Sequence, residues 1–301
     1  MKLSQSALNV NKDNITPKIK YPRMERWNAF YSQLKKNKAA IIGGYIILFY
    51  LLMTIFGPLI APYDPLEIDL VNKLEPPSTE HLMGTDDKGR DVLSRLLYGS
   101  QLSLTIGIVS VLIGAFFGIL LGLVAGYYGK MVDTIIMRII DILLAFPGLL
   151  LALAIVSALG PSMINVMIAV GIFSIPTFAR IVRGSTLAAK NLEYIDAIRA
   201  LGAKDARIIF AHILPNILSP IIVQGTLRLA TAILTAAGLS FLGMGAQPPS
   251  PEWGAMLSSG RNFLWNAPHI ATFPGLAIAL IVMGLNLFGD GLRDALDPRM
   301  K

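Results

Sequence analysis

The sequence predicts an all-α integral membrane protein with six transmembrane helices and with both termini in the cytoplasm. Three observations lead to this fold class: the composition, six long apolar segments, and the uneven distribution of lysine and arginine. Of the 301 residues, 54% are hydrophobic and only 15% are charged, whereas soluble domains carry about 25% charged residues. A chain this apolar cannot cover its surface with polar groups, so lipid must be the solvent for much of it.

Six apolar segments are long enough to cross a bilayer. A helix rises about 1.5 Å per residue, so about 20 residues cross a hydrocarbon core of roughly 30 Å. Lipid offers no partners to backbone amides, and these runs lack the alternation of barrel strands, so each segment is predicted to be helical. The predicted spans are 39–61, 103–126, 139–159, 162–181, 217–240 and 269–289. We expect Pro147 and Pro176 to kink the spans that contain them.

The distribution of basic residues predicts the orientation and the domain organisation. Lysine and arginine are concentrated in the tail 1–38 and in the loop 180–216, which places both segments in the cytoplasm, whereas the net acidic loop 62–101 belongs outside. Trp27, Phe30, Tyr31 and Leu34 recur at helical spacing beside basic residues and predict an amphipathic helix on the inner leaflet. The chain is thus divided into a basic cytoplasmic tail 1–38, a first transmembrane helix 39–61, an extracytoplasmic loop 62–101, and a core domain 102–301 with five further transmembrane helices.

The composition and motifs exclude several classes of function. The chain has no cysteine, which excludes disulfides, thiolate metal sites and a cysteine nucleophile. His81, His212 and His269 do not have the spacing of metal ligands. No phosphate-binding loop and no Ser/His/Asp arrangement stands out, so we predict that the chain is not an enzyme and does not hydrolyse ATP itself. The net charge of +7 follows membrane topology rather than a nucleic-acid surface.

Two ionisable residues at membrane depth, Asp141 and Arg228, are the candidate pathway residues. Asp141 lies one turn after Arg138, which favours an ion pair along one helix. Arg228 lies roughly halfway along its span, and an intramembrane charge is a functional hypothesis by default. It can line the pathway and bind a substrate carboxylate, or it can snorkel or pair with a partner subunit, and both interpretations stay open. The scarcity of deep acids argues against a carrier driven by an ion gradient.

The cytoplasmic segment 191–216 has the pattern of two short helices with a bend between them. Ile195, Ile198 and Leu201 form an apolar stripe, and Gly202 follows at a position where a helix ends easily. Pro215 is predicted to end the second helix. A rigid amphipathic projection of this kind is suited to docking into a groove on a soluble partner. It can equally be a loop that caps the helix bundle, and the pattern alone does not decide between the two.

The same segment resembles the coupling motif of binding-protein-dependent ABC importer permeases, E-A-A-x3-G-x9-I-x-L-P. Here Asp196 replaces the usual glutamate, Ile198 replaces an alanine and His212 takes the isoleucine position, while the glycine and the proline are kept. The resemblance implies that this segment contacts the ATPase. The residues that it assigns to coupling are Asp196, Ala197, Arg199, Gly202, Ala203, His212, Leu214 and Pro215.

Further motifs are similar to the C-type permease subunit of dipeptide and oligopeptide importers. In order, they lie at 81–86, 89–95, 239–245, 251–254, 273–275 and 286–299. Together with the coupling motif they extend the resemblance over nearly the whole chain beyond residue 25. Ala236 departs from the pattern, because many relatives carry a glutamate there.

This resemblance implies a type I ABC importer permease in a bacterial or archaeal cell membrane, forming half of a peptide pathway. The implied partners are a homologous second permease, two ATP-binding subunits, an extracytoplasmic binding protein, the peptide and membrane lipid. No cofactor is expected on this chain, since ATP and magnesium belong to the ATPase subunits. Nickel or a nickel chelate is the alternative cargo within the same branch. An ion-driven carrier and a membrane scaffold are the alternatives from other classes.

Overall fold

The computed structural model describes residues 32–296, and helices make up most of that range. The helices are α1 Lys38–Ile60, α2 Val92–Tyr128, α3 Lys130–Leu144, α4 Gly148–Leu159, α5 Met163–Lys190, α6 Glu193–Ala200, α7 at 205–216, α8 Leu218–Phe241, α9 Trp253–Gly260 and α10 His269–Leu296. Within α7 the helical segments are Asp205–Arg207, the π-helical Ile208–Ile213, and Leu214–Asn216. Of the amphipathic helix predicted from Trp27, Phe30, Tyr31 and Leu34, only the end with Leu34 is described, and residues 32–36 are helical. The rest of that prediction lies outside the described residues, as does 297–301.

Five helices are individually long and apolar enough to cross a membrane: α1, α2, α5, α8 and α10. The third predicted span, 139–159, is not one helix. It falls on α3 and α4, which meet at a bend of 89° and pass the same test only as a pair. Pro147 stands immediately before α4, where it disfavours helical backbone in the residue before it. Pro176, in contrast, lies inside the continuous helix α5.

The packing of α2 against α5 shows that the bent pair crosses the membrane once. Four glycines spaced four residues apart on α2 face four α5 residues with the same spacing, and every step along α2 is a step forward along α5. The facing pairs are Gly114 with Ser174, Gly118 with Phe178, Gly122 with Val182, and Gly126 with Thr186. The two helices are therefore parallel, so the chain between them must return to the side from which α2 began. The bent pair is one broken span, which gives six crossings.

Close backbone approach sets the α2–α5 distance. A Cβ placed on Gly114 or Gly118 would lie 2.5 Å from a side-chain carbon of α5, closer than side chains tolerate. Small residues that let two helices approach are typical of packing in membranes, where no hydrophobic effect drives helices together. The glycine stripe thus fixes the two central helices against each other, and α1 packs antiparallel on α10 through a similar contact between Gly43 and Gly284.

The helix α2 begins at Val92, so the last ten residues of the predicted extracytoplasmic loop 62–101 are helical. Asp91 caps its first turn by accepting a 2.7 Å hydrogen bond from the backbone N–H of Ser94. Leu96 and Leu97 are buried, and the Leu96 carbonyl accepts a 3.0 Å hydrogen bond from the indole N–H of Trp253. The apolar face at the start of this helix therefore packs on protein, and the chain between α1 and α2 ends at Asp91.

Candidate coupling and pathway sites

The cytoplasmic segment 191–216 forms two helical elements with a bend at Gly202. Gly202 has a φ of +82°, the left-handed conformation that favours glycine. Its N–H donates to the Arg199 carbonyl at 2.9 Å, and the N–H of Leu201 donates to the Ala197 carbonyl at 3.1 Å, as at the end of a helix. Pro215 does not end the second element as predicted, because helical structure continues through it to Asn216. The π-helical stretch Ile208–Ile213 was not foreseen.

One face of this segment is anchored to the membrane helices. Ile195, Ile208 and Ile213 are fully buried against the cytoplasmic ends of α2 and α5, where Leu123 and Val182 line the same apolar cluster. Burying three such side chains stabilises the attachment by several kcal/mol, at about 1.5–3 kcal/mol each. The buried isoleucines therefore connect the segment to the two central helices.

The opposite face of the segment is open to solvent. Leu201 is 88% exposed at the tip. Asp196 and Arg199, joined by a 2.9 Å hydrogen bond, are exposed along α6, as is Ala197. Among the remaining residues of the motif, Ala203, His212 and Leu214 are half-buried, whereas Gly202 and Pro215 are exposed. An exposed tip on a buried base is the geometry that a docking element requires.

Tyr127, at the end of α2, joins the bundle to this segment. Its hydroxyl donates a 2.6 Å hydrogen bond to Asp205 at the start of α7. The Lys190 ammonium donates to the Tyr127 carbonyl and lies 5.6 Å from the centre of its ring. The ends of α2 and α5 and the start of α7 thus meet at one residue. Sequence reasoning missed this contact, because Tyr127 and Asp205 are far apart in the chain and no local pattern connects them.

In the structure, both candidate pathway residues form hydrogen bonds with α5. Asp141 does not pair with Arg138; it accepts a 2.6 Å hydrogen bond from Arg180 of α5. The prediction was wrong because it considered one helix only. In the structure α3 packs beside α5, and α5 supplies the cation, Arg180. About two helical turns earlier on α3, Asp133 pairs in the same way with Arg183 of α5, at 2.5 Å.

Arg228 is half-buried in the middle of α8 and reaches across to α5. Its guanidinium donates to the hydroxyl of Thr177 and lies 5.7 Å from the centre of the Phe173 ring, within range of a cation–π interaction. None of the acidic residues between 32 and 296 forms an ion pair with it. The structure therefore brings Arg228 to the same side of α5 as the Asp141–Arg180 pair, since Phe173, Thr177 and Arg180 follow one face of that helix.

The opposite, extracytoplasmic end is held by buried polar contacts. Arg90 and Asp86 form a buried ion pair at 2.7 Å, and His81 contacts the buried Asp91 at 2.9 Å. The neighbouring motifs at 81–86 and 89–95 fold together here with 251–254, which is far away in the sequence.

Glu252 completes the buried network at this end. It is 1% exposed and caps α9 by accepting 2.9 Å hydrogen bonds from the N–H groups of Gly254 and Ala255. The Ser103 hydroxyl of α2 donates a third, at 3.2 Å. Burial raises the pKa of Glu252, and the hydrogen bonds act in the other direction.

No group of three or more histidine, cysteine, aspartate or glutamate side chains in the described range 32–296 is arranged to hold a metal ion.

Comparison with known proteins places this architecture in a family. Residues 118–301 match the family described as binding-protein-dependent transport system inner membrane component, and residues 25–77 match the N-terminal transmembrane domain of oligopeptide transport permease C. The chain belongs to the first of these families, and it is a multi-pass permease subunit of a bacterial ABC importer. Within that class it is a C-type permease, as its N-terminal match indicates.

Curated relatives cover almost the whole chain. The dipeptide transport system permease protein DppC of Alkalihalophilus pseudofirmus is 52% identical over 95% of this chain and 94% of its own length. The glutathione transport system permease protein GsiD of Pectobacterium atrosepticum is 50% identical over 91% of this chain and 92% of its own length. Among solved structures, an inward-facing MetNI methionine ABC transporter matches 67% of this chain and 96% of its own chain, with a TM-score of 0.54 and 19% identity. That last likeness concerns the fold alone.

Proposed function

We propose that this chain forms half of the translocation pathway of an ATP-driven importer of dipeptides or oligopeptides. The observation that carries the proposal is the similarity, over more than nine-tenths of the chain, to permeases of dipeptide and glutathione transport systems. Both cargoes are short peptides. These relatives favour peptide cargo over nickel, and no observation on the described residues favours nickel.

The energy for transport comes, in this proposal, from partner subunits. The 301-residue sequence contains no phosphate-binding loop, so ATP and magnesium bind to two ATPase subunits. A homologous second permease completes the pathway, and an extracytoplasmic binding protein delivers the peptide. Lipid surrounds the exposed apolar faces, and nucleic acid has no role.

The segment 191–216 is the proposed contact with the ATPase. Its tip around Leu201 and Gly202 is exposed, while its base is buried against the ends of α2 and α5. Asp196, Ala197, Arg199 and the other residues of the motif lie on this segment. Closure of the ATPase dimer on ATP would push the tip, and the buried isoleucines and Tyr127 would transmit that movement. Nucleotide acts in this way only by stabilising one of two bundle arrangements more than the other.

Reconstitution tests the proposal directly. The chain is purified with its second permease and ATPases, placed in liposomes, and supplied with the binding protein and a radiolabelled dipeptide. We expect uptake that requires ATP, the binding protein and all subunits. Accumulation of peptide by the chain alone, or import of nickel without import of peptide, would contradict the proposal.

A further inference from the structure

A polar face runs across three helices at membrane depth. It consists of Asp141 on α3, Thr177 and Arg180 on α5, and Gln224, Arg228 and Thr231 on α8. The α8 members follow the spacing 4 and 3, which places them along one side of the helix. None of the six residues is buried. Contacts connect the helices, since Arg180 bonds to Asp141 and Arg228 bonds to Thr177.

The polar face on α3, α5 and α8 is not exposed to lipid hydrocarbon. Arg228 lies near the middle of its span, where a charged side chain costs about 2.5–3.5 kcal/mol on insertion scales. Arg180 and Asp141 continue the face toward the cytoplasmic end of the spans, with side chains 54% and 57% exposed. Charged groups inside a membrane almost always face the bundle interior or a water-filled cavity. The polar face is therefore covered by water or by protein, as the wall of a pathway between two permease subunits requires.

Arg228 differs from the other cations of this face in having no acid beside it. Arg180 is neutralised by Asp141, and Arg183, one turn further along α5, is neutralised by Asp133. Within the described range, Arg228 forms a hydrogen bond with a neutral hydroxyl and lies over an aromatic ring, and it forms no ion pair. Its guanidinium carries five N–H donors in a planar fork that matches a carboxylate. One bond to Thr177 leaves most of that fork available.

The depth of Arg228 suits a site that is reached from both sides. Arg228 is ten residues from the start of α8 at Leu218, which corresponds to about 15 Å along the helix axis. This is close to the middle of a hydrocarbon core of roughly 30 Å. The contacts with Thr177 and Phe173 hold the side chain against α5 at that depth, so that it does not extend toward the cytoplasmic surface.

We propose that Arg228 binds the C-terminal carboxylate of the peptide in the middle of the membrane, with Thr177 and Phe173 as the residues that position its guanidinium. This inference rests on the proposed function, and it names the group of the cargo that the permease recognises. A bidentate pair between guanidinium and carboxylate supplies both energy and orientation. The fixed positive charge also repels a free divalent cation, which agrees with peptide rather than metal cargo.

The test compares three variants in the reconstituted complex. Arg228→Gln removes the charge, Arg228→Lys keeps it without the planar fork, and Arg261→Gln is the matched control. Arg261 is a suitable control because its guanidinium also lies 5.7 Å from the centre of an aromatic ring, that of Phe241, whereas the residue belongs to a segment outside the spans. We expect Arg228→Gln to lower dipeptide uptake about tenfold or more, since hydrogen bonds to a charged partner are the strong ones. Dipeptide uptake by Arg228→Lys should be intermediate between that of the wild type and that of Arg228→Gln. Uptake by the control should equal that of the wild type.

A second measurement identifies the carboxylate as the group that is bound. The assembled complex in nanodiscs, without binding protein, binds a labelled dipeptide in competition with the unlabelled dipeptide or its C-terminal amide. In the wild type the amide should compete about tenfold more weakly, and in Arg228→Gln the two competitors should be equal. Equal competition in the wild type, or discrimination that survives in the variant, overturns the inference.

Two further outcomes separate this inference from its alternatives. If Arg228→Gln no longer copurifies with the second permease, Arg228 pairs with an acid of that partner and the inference is overturned. If the wild-type complex imports peptide and Arg228→Gln imports it equally well, the carboxylate site fails while the proposed function stands. A wild-type complex that imports no peptide would contradict the proposed function and, with it, this inference.

Discussion

At the scale of single residues, Glu252 shows how burial and capping act against each other. Its carboxylate satisfies two backbone N–H groups of α9 and the Ser103 hydroxyl, yet burial raises its pKa above the ordinary value of 4.5. A raised pKa means that the folded protein holds the proton more tightly than the unfolded chain does. The contribution of this group to stability is therefore fully present below about pH 4.5 and is lost as the pH rises through the folded pKa.

The raised pKa of Glu252 predicts how the thermal stability of Glu252→Gln, relative to the wild type, changes with pH. The amide keeps a carbonyl that can accept from the α9 N–H groups but carries no charge at any pH. We expect the unfolding temperature of the variant, relative to wild type, to rise between pH 5 and pH 8, because only the wild type must bury a charge at the higher pH. Thermal unfolding of the detergent-purified protein at both values measures the difference. A difference that is constant or falls with pH would show that the hydrogen bonds outweigh burial.

Residue contacts were also the part of the site that the sequence predicted least well. Asp141 and Arg228 were identified as deep charges from hydropathy alone, since a charge inside an apolar run is visible without a structure. Their partners were not, because Arg180 and Thr177 come from another helix, and helical periodicity describes only neighbours within one helix. The contact of Tyr127 with Asp205 escaped prediction for the same reason.

At the scale of elements, the glycine stripe of α2 determines how the two central helices pack. A Cβ on Gly122 would lie 2.6 Å from the backbone carbonyl oxygen of Ala179, and a backbone atom has little freedom to move. We expect Gly122→Ala to lower the free energy of unfolding by about 1–3 kcal/mol, the usual cost of overpacking. Gly184→Ala on α5 is the control, since nothing lies within 4 Å of its added Cβ. That change should be neutral or stabilise by roughly 0.5–1 kcal/mol. Equal stability of both variants in thermal unfolding would refute the packing argument.

The bend at Gly202 leads to a prediction about coupling. A Cβ meets no atom within 4 Å at this position, so that only the φ of +82° opposes a larger residue. Gly202→Val adds about 1–2 kcal/mol of backbone strain, and valine is branched at Cβ, which the left-handed conformation tolerates poorly. We expect the variant to insert and assemble, but to transport about tenfold fewer peptides per ATP hydrolysed, as an altered bend misplaces the tip. Gly184→Ala again serves as the control, and an unchanged ratio of peptide to ATP would exclude a coupling role for the bend.

Element boundaries could be predicted only in part. The apolar runs located all the long helices, because lipid requires about 20 apolar residues in sequence. The kink expected at Pro147 is confirmed, since α3 and α4 meet there at 89°. The division into two separate helices was not predicted, because a proline in an apolar run can also lie inside a continuous helix, as Pro176 does. The span predicted from residue 103 did not include residues 92–101, because these are more polar than a span and their packing depends on Trp253, which is distant in the sequence.

At the scale of the whole molecule, the parallel packing of α2 and α5 and the rule for basic residues together define which parts lie on which side. The segment 191–216 is cytoplasmic, and the loops around α9 are extracytoplasmic. The broken span must then begin inside, near Met131, and end outside, near Pro161. Hydropathy alone does not establish this, since two short helices with a bend of 89° can also form a re-entrant loop that returns to the side where it began.

Single cysteines test this arrangement without interference, because the chain has none of its own. Leu201→Cys and Trp265→Cys report the two sides, since these residues are 88% and 98% exposed, and Met131→Cys and Pro161→Cys report the two ends of the broken span. A membrane-impermeant maleimide added to intact cells should label positions 265 and 161, and added to inverted vesicles it should label 201 and 131. Labelling of 131 and 161 from the same side would make the bent pair a re-entrant loop. The parallel arrangement of α2 and α5 would then be impossible, because the chain would enter α5 from the side on which α2 ends.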